Sequence, residues 1–138
     1  MNIDSITNGF VIDHISAGRG KLLYDLLGLE GCDCSVAIIK NVGSKKLGKK
    51  DIIKIDAEIA INFDVIGYVD PGITVNIIRD GKLVEKRSIK TPETLTNVIK
   101  CKNPRCITSV EQELDHVFKL TDKNAGIYRC IYCETKAK

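Results

Sequence analysis

Apolar positions along this chain follow two rhythms. GFVIDHIS (9–16), SVAIIKNV (35–42) and DIIKID (51–56) are rich in β-branched residues, and each reads as a strand. Between the first two, RGKLLYDLLGLEG places Leu22, Leu23, Leu26, Leu27 and Leu29 at helical spacing. Ser16 can cap that helix and Gly31 can stop it. EIAINFDVIGYVD holds a second, shorter helix that Gly67 interrupts and Pro71 ends. ITVNIIRDGKLVEKRSI (73–89) is a hairpin turning at Asp80-Gly81, the clearest turn signal in the chain. The order strand, helix, strand, strand, helix, strand, strand predicts an α+β fold. It suits a ferredoxin-like antiparallel sheet with two helices on one face. TPETLTN (91–97) is polar and opens on Thr-Pro, which makes it the joint between a front domain (1–92) and a tail domain (93–138).

Strand parity shows what shares a face, because side chains two apart point the same way. Val11 goes with Asp13, Lys50 with Ile52 and Lys54, and Thr74 with Asn76 and Ile78. With helices on one side, the other side gathers an acid, an amide and two lysines among apolar residues. Polyphosphate recognition uses such groups: ammonium for phosphate, acid or amide for base and ribose, and an apolar wall for the ring. Charged side chains on a solvent-facing sheet are also ordinary surface, so parity alone leaves both readings open. Neither glycine-rich phosphate loop, G-x-G-x-x-G nor G-x4-G-K-[ST], is present. No nucleophile pairs with His14 and no carboxylates are paired by spacing, so a catalytic role is not expected. A strand histidine satisfied by the backbone accounts for His14 equally well.

The tail carries Cys101 and Cys106 as C-x4-C, then Cys130 and Cys133 as C-x2-C, with 23 residues between the pairs. Short turns that hold two thiolates on one side are the half-sites of a tetrahedral zinc centre. Asn103 and Pro104 favour the first bend, and KNAG (123–126) reads as a hairpin turn, so the tail predicts a small zinc ribbon, rubredoxin-like in form. Two disulfides or four buried thiols are the alternatives; a reducing compartment weighs against the first and the close pairing against the second. Four sulfurs leave no open coordination position, which makes one Zn2+ per chain structural rather than catalytic. His116 is then expected on the surface. Cys32 and Cys34 form C-x-C, a poor chelate, where a loop enters a strand.

Size sharpens this picture. A module of about 45 residues buries too little to stand without help, and a structural metal can supply it. Residues 1–93 carry 13 basic and 13 acidic side chains, whereas 94–138 carry 8 and 5, so the whole net charge of +3 lies in the tail. That slight excess is the only direct support for a nucleic-acid-binding zinc ribbon, which is the alternative function. No apolar run approaches a bilayer span, and MNIDSITNGF lacks a basic-then-apolar secretion pattern, so a cytoplasmic location is expected.

VIDHI near the start, GKKDIIKI in the middle, TVN before a hairpin and C-x4-C followed by a distant C-x2-C together resemble one family. The chain is similar to the regulatory chain of aspartate carbamoyltransferase over nearly its whole length. The resemblance implies a non-catalytic subunit of pyrimidine biosynthesis whose front domain binds CTP, UTP and ATP as allosteric effectors. It also implies that the zinc domain docks onto a catalytic chain and that regulatory chains pair through their front domains. Carried over by position, the nucleotide site comprises Asp4, Ile6, Val11, Asp13, His14, Lys50, Lys54, Asn76, Ile78 and Lys86. Lys86 needs a bulge or the strand's end to reach the phosphates, since its parity opposes that of Leu83. Asn103 and Glu134 match positions that touch the catalytic chain.

Overall fold

A computed structural model describes residues 6–45, 48–111 and 113–137. The chain divides into two compact units, Met1–Lys90 and Thr91–Lys138.

In the first unit the elements run β1 (Gly9–Ser16), α1 (Gly20–Leu26), β2 (Ser35–Ser44), β3 (Gly48–Asp56), α2 (Phe63–Val69), β4 (Thr74–Arg79) and β5 (Lys82–Ser88). They form an antiparallel sheet in the order β2-β3-β1-β4-β5. The first four strands have the ferredoxin-like arrangement, and β5 extends it at the β4 edge. Helix α1 packs against α2, β2 and β3, so the helices share one face of the sheet. The core lies beneath them: Ile12, Ile53, Ile55 and Val75 from the strands meet Leu23, Val65, Ile66 and Val69 from the helices, all buried. The predicted hairpin closes on Asp80 (φ 52°) and Gly81 (φ 74°), both left-handed, which matches the strand twist.

Helix α1 is shorter than its leucine spacing predicts. Gly28 turns left-handed (φ 69°) and ends it, and Leu29–Gly31 continue as a single 3-10 turn. Ser16 does not cap it; that hydroxyl donates to Asp70 Oδ2 at 2.5 Å, tying the end of β1 to the end of α2. Arg19 takes the cap position with no side-chain bond. In this structure Cys32 and Cys34 are joined as a disulfide where the 3-10 turn enters β2, although the reducing compartment expected from the sequence disfavours disulfides.

Two bulges shape the sheet. β1 slips against β3 between Ile12 and Ile15, and β2 slips between Ile39 and Val42. His14 (φ 61°) and Asn41 (φ 57°) occupy the slips in left-handed conformations. Both flank Asp51, which is fully buried and whose carboxylate accepts N–H bonds from Gly18 and Gly20 at 3.0 Å and Asn41 at 3.1 Å. A buried carboxylate is tolerable only when so many donors surround it.

The second unit is a three-stranded sheet, β6 (Thr94–Thr96), β7 (Val117–Asp122) and β8 (Ile127–Cys130), with one helical turn, α3 (Ile107–Val110). β6 lies inside the segment read as a polar joint. Its core is narrow: Leu95, Phe118 and Tyr128 are buried together with Cys101, Cys106 and Cys130. Ile107 and Val110, apolar though they are, stand 50% and 70% exposed.

Candidate functional site

The face of the first sheet away from the helices is built from one row of paired positions. Ala37 lies opposite Lys54, Lys54 opposite Val11, Val11 opposite Asn76 and Asn76 opposite Lys86. The row crosses all five strands, placing the two lysines three strands apart, about 14 Å at the backbone. Lys86 joins because β5 slips by one residue between the partners of Ile77 and Ile78. That bulge is the one its parity requires, and it sets Asn76 and Lys86 side by side.

Beside the row, Ile6, Val11 and Ile52 are buried together, with Ile39, Val42 and Ile78 packed against them. Lys54 is only 2% exposed, which separates it from ordinary surface lysines. Further along β1, Asp13 pairs with Lys50 at 2.9 Å across the bulge. Burial pushes the Asp13 pKa up, but the Lys50 ammonium and the His14 N–H, 2.6 Å from Asp13 Oδ1, outweigh it and hold the carboxyl below its ordinary value. His14 is not satisfied by the backbone: its buried Nδ1 meets no hydrogen-bond partner among the described residues. Of the predicted nucleotide-site residues, Val11, Lys54, Asn76 and Lys86 share the row. Ile6 and Ile78 belong to the apolar cluster beside it, and Asp13, His14 and Lys50 sit at the bulge. Asp4 lies outside the described residues.

In the second unit the four thiols converge. Cys101, Cys106, Cys130 and Cys133 place their sulfurs within 4.8 Å of one another. Cys101 and Cys133 approach to 3.5 Å, and Cys106 and Cys130 to 3.6 Å. Tetrahedral coordination with Zn–S bonds of about 2.3 Å sets sulfurs roughly 3.8 Å apart, so the donor set fits a soft divalent ion. The thiols are unequal. Burial pushes Cys101 up to about 12 and raises Cys130. The Thr108 hydroxyl, 3.1 Å from the Cys106 sulfur, lowers that thiol; the Thr135 hydroxyl, 3.1 Å from the Cys133 sulfur, brings its thiol down to about 6. Sequence reasoning missed both threonines, although each stands two residues after a cysteine.

His116 is not a bystander on the surface. It is half-buried, and its Nδ1 accepts the Cys101 N–H at 3.2 Å, bracing the first ligand loop. Asn103 is bound into the same loop, its Oδ1 accepting from Arg105 N at 3.0 Å and its carbonyl accepting from Cys106 N at 3.1 Å. Glu134 is exposed and left-handed (φ 63°) just after the last cysteine.

Two family models match the chain end to end. One, the aspartate carbamoyltransferase regulatory chain, allosteric domain, covers residues 1–90; the other, the metal binding domain of the same chain, covers 93–138. This chain belongs to the aspartate carbamoyltransferase regulatory chain family. Among its relatives, the regulatory chain of Clostridium tetani (strain Massachusetts / E88) is 52% identical over 135 residues, 97% of this chain and 94% of that one. The regulatory chain of Clostridium botulinum (strain Hall / ATCC 3502 / NCTC 13319 / Type A) is 51% identical over 134 residues, 97% and 92% of the two chains. That of Bifidobacterium longum (strain NCC 2705) is 41% identical over 138 residues, 100% and 99%. The likeness therefore spans both units. As a regulatory chain it is a non-catalytic subunit, with an allosteric domain in front and a metal-binding domain behind whose four cysteines are positioned to hold an ion. Among the described residues no helix is long and apolar enough to cross a membrane.

Proposed function

We propose that the front unit binds nucleoside triphosphates such as CTP, UTP and ATP on the sheet face away from the helices, and that the tail unit docks the chain onto a catalytic chain. The observation that carries the first half is the row Lys54–Val11–Asn76–Lys86 beside an apolar cluster. Ammonium groups at Lys50, Lys54 and Lys86 suit phosphates, Asn76 suits a base or ribose edge, and the isoleucines suit the ring. His14 stands at the β1 bulge next to Asp13, with a buried Nδ1 that no described residue partners.

In the tail, Zn2+ held by the four cysteines would cross-link two loops and supply no reaction chemistry, since its coordination is filled. Around those loops Ile107, Val110, Ile131 and Tyr132 stand exposed, an apolar surface better suited to a protein partner than to a phosphate backbone. Asn103 and Glu134 flank this surface and are the contacts we assign to the catalytic chain. Regulatory chains would pair through the front unit, and the assembly would work in the cytoplasm.

Regulation then follows from linkage. An effector shifts a two-state assembly only through its differential affinity for the states, typically about 1–3 kcal/mol, and the joint at Thr91-Pro92 transmits that bias. Calorimetric titration of the full chain with CTP, UTP and ATP tests the site. Lys86→Ala, at an exposed position, and Lys54→Ala should each weaken nucleotide binding about tenfold or more while metal content stays at one per chain. Undiminished affinity in both variants would remove this face as the site.

A further inference from the structure

The two cysteine loops share a feature that coordination alone does not require. Cys106-Ile107-Thr108 and Cys133-Glu134-Thr135 repeat the pattern C-x-T, each on the second cysteine of its pair. Thr108 Oγ1 lies 3.1 Å from the Cys106 sulfur, and Thr135 Oγ1 lies 3.1 Å from the Cys133 sulfur. Thr108 is 3% exposed and, with Asp51 and Lys54, makes up the buried polar residues among those described. The first cysteine of each pair is followed two residues on by Asn103 or Tyr132 instead, so the hydroxyls serve two sulfurs of the four.

A metal-bound sulfur is a thiolate and has no proton to give, so in the loaded site the hydroxyl must be the donor. Four thiolates on a divalent ion leave two surplus negative charges in a largely buried site. Donors aimed at the sulfurs spread that charge and fix the loops, which is what partners beyond the ligands do for a metal.

We propose that Thr108 and Thr135 are positioning residues of the metal centre, whose hydroxyls hydrogen-bond the Cys106 and Cys133 thiolates and thereby set how tightly the ion is held. This rests on the reading of the four cysteines as metal ligands. Valine has the shape of threonine without the hydroxyl, and serine keeps the hydroxyl without the methyl. The full chain carrying Thr108→Val, Thr135→Val or both, and the matching serine variants, would be loaded with Co2+ and with Zn2+ and challenged with a chromophoric chelator at fixed pH.

Each valine variant should lose about tenfold in affinity for both ions, with the double variant weaker than either. The sulfur-to-cobalt charge-transfer bands should move to longer wavelength, because a sulfur relieved of a hydrogen bond gives up its electrons more readily. Serine should restore both readouts. A valine variant too weak to load, with its serine counterpart loading normally, also supports the proposal. Valine variants with parental affinity and unshifted bands overturn it, as do serine variants that behave like valine. Failure of the parental chain to take up Co2+ at all would instead strike at the cysteines as ligands.

Discussion

The two units solve the same problem by different means. The front unit stacks a continuous layer of Ile12, Ile15, Ile53, Ile55, Ile73 and Val75 under two helices, every one of them essentially inaccessible to water. Among the described residues of the tail unit, the large buried side chains are Leu95, Phe118 and Tyr128, with Cys101, Cys106 and Cys130 buried as well. Hydrophobic burial holds the first, whereas a metal cross-link must substitute for missing core in the second. The first can therefore keep a polar row on its outer face, since its stability resides on the inner one. The second leaves Ile107, Val110, Ile131 and Tyr132 exposed, since the fold does not need them inside.

Metal removal should break the comparison open most widely. Structural zinc in small modules supplies about 10–16 kcal/mol at neutral pH, so chelation should unfold the tail while the front sheet persists. Amide proton exchange would show protection collapsing across β6, β7 and β8 and surviving in β1, β3 and β4. Cys106→Ser should give the same pattern. A tail that keeps its protection after complete chelation would contradict the claim that its own core is insufficient.

The reciprocal experiment is Ile53→Ala. Truncating a fully buried isoleucine costs about 2–5 kcal/mol. The loss should appear in the melting of the front unit alone, with metal stoichiometry and tail protection unchanged. A parallel loss of metal would mean that the two units do not draw on separate sources of stability.

What the sequence made visible follows the same division. Strand period and the Asp80-Gly81 turn are local, and they placed the hairpin and both faces of the sheet correctly. The cysteine spacing is a pattern of residue type, and it found the metal loops. The missing parts depend on contacts distant in sequence. Asp51 reads as one more charge between Lys50 and Ile52, yet its buried carboxylate holds the β2 bulge at Asn41 and the Gly18–Gly20 turn before α1. Ser16 has the chemistry of a helix cap, but Asp70, 54 residues on, captures its hydroxyl. β6 is too short for any propensity to announce and exists because Leu95 pairs with Phe118. The threonines of C-x-T were in view, but threonine carries no ligand signal of its own.

Acidity sharpens the contrast further. In the metal-free tail, Cys101, pushed up by burial to about 12, and the raised Cys130 hold their protons at neutral pH, while Cys133, brought down to about 6, does not. Loading must expel the protons that remain, so affinity should rise with pH and uptake near pH 7 should release at least the two protons of Cys101 and Cys130 per ion. Below pH 6 the Cys133 thiolate protonates as well, and the dependence should steepen. Calorimetry in buffers of different ionisation enthalpy counts the protons; uptake without release would show that the thiols are ionised before the ion arrives.

The smallest effect is expected in the front unit, at the Asp13–Lys50 pair. Both side chains keep some access to water, 20% and 15%, and a partly screened pair contributes at most about 1 kcal/mol. Its sign is nonetheless fixed. The folded Asp13 carboxyl titrates below its reference value of 3.8, so its contribution is present above that pH and disappears as pH falls through the folded value. Asp13→Asn should therefore lower the melting temperature of the front unit slightly at pH 6, and the gap to the parent should narrow as the pH is taken below 3.8 towards 3. A gap of equal size at both pH values would assign the effect to shape and to the His14 N–H bond rather than to charge. Because that bond sits at the β1 bulge, the same variant reports on the row's geometry. Weaker CTP or ATP binding alongside a pH-independent gap would mean that Asp13 serves the site by holding the bulge, and that its attraction to Lys50 is incidental.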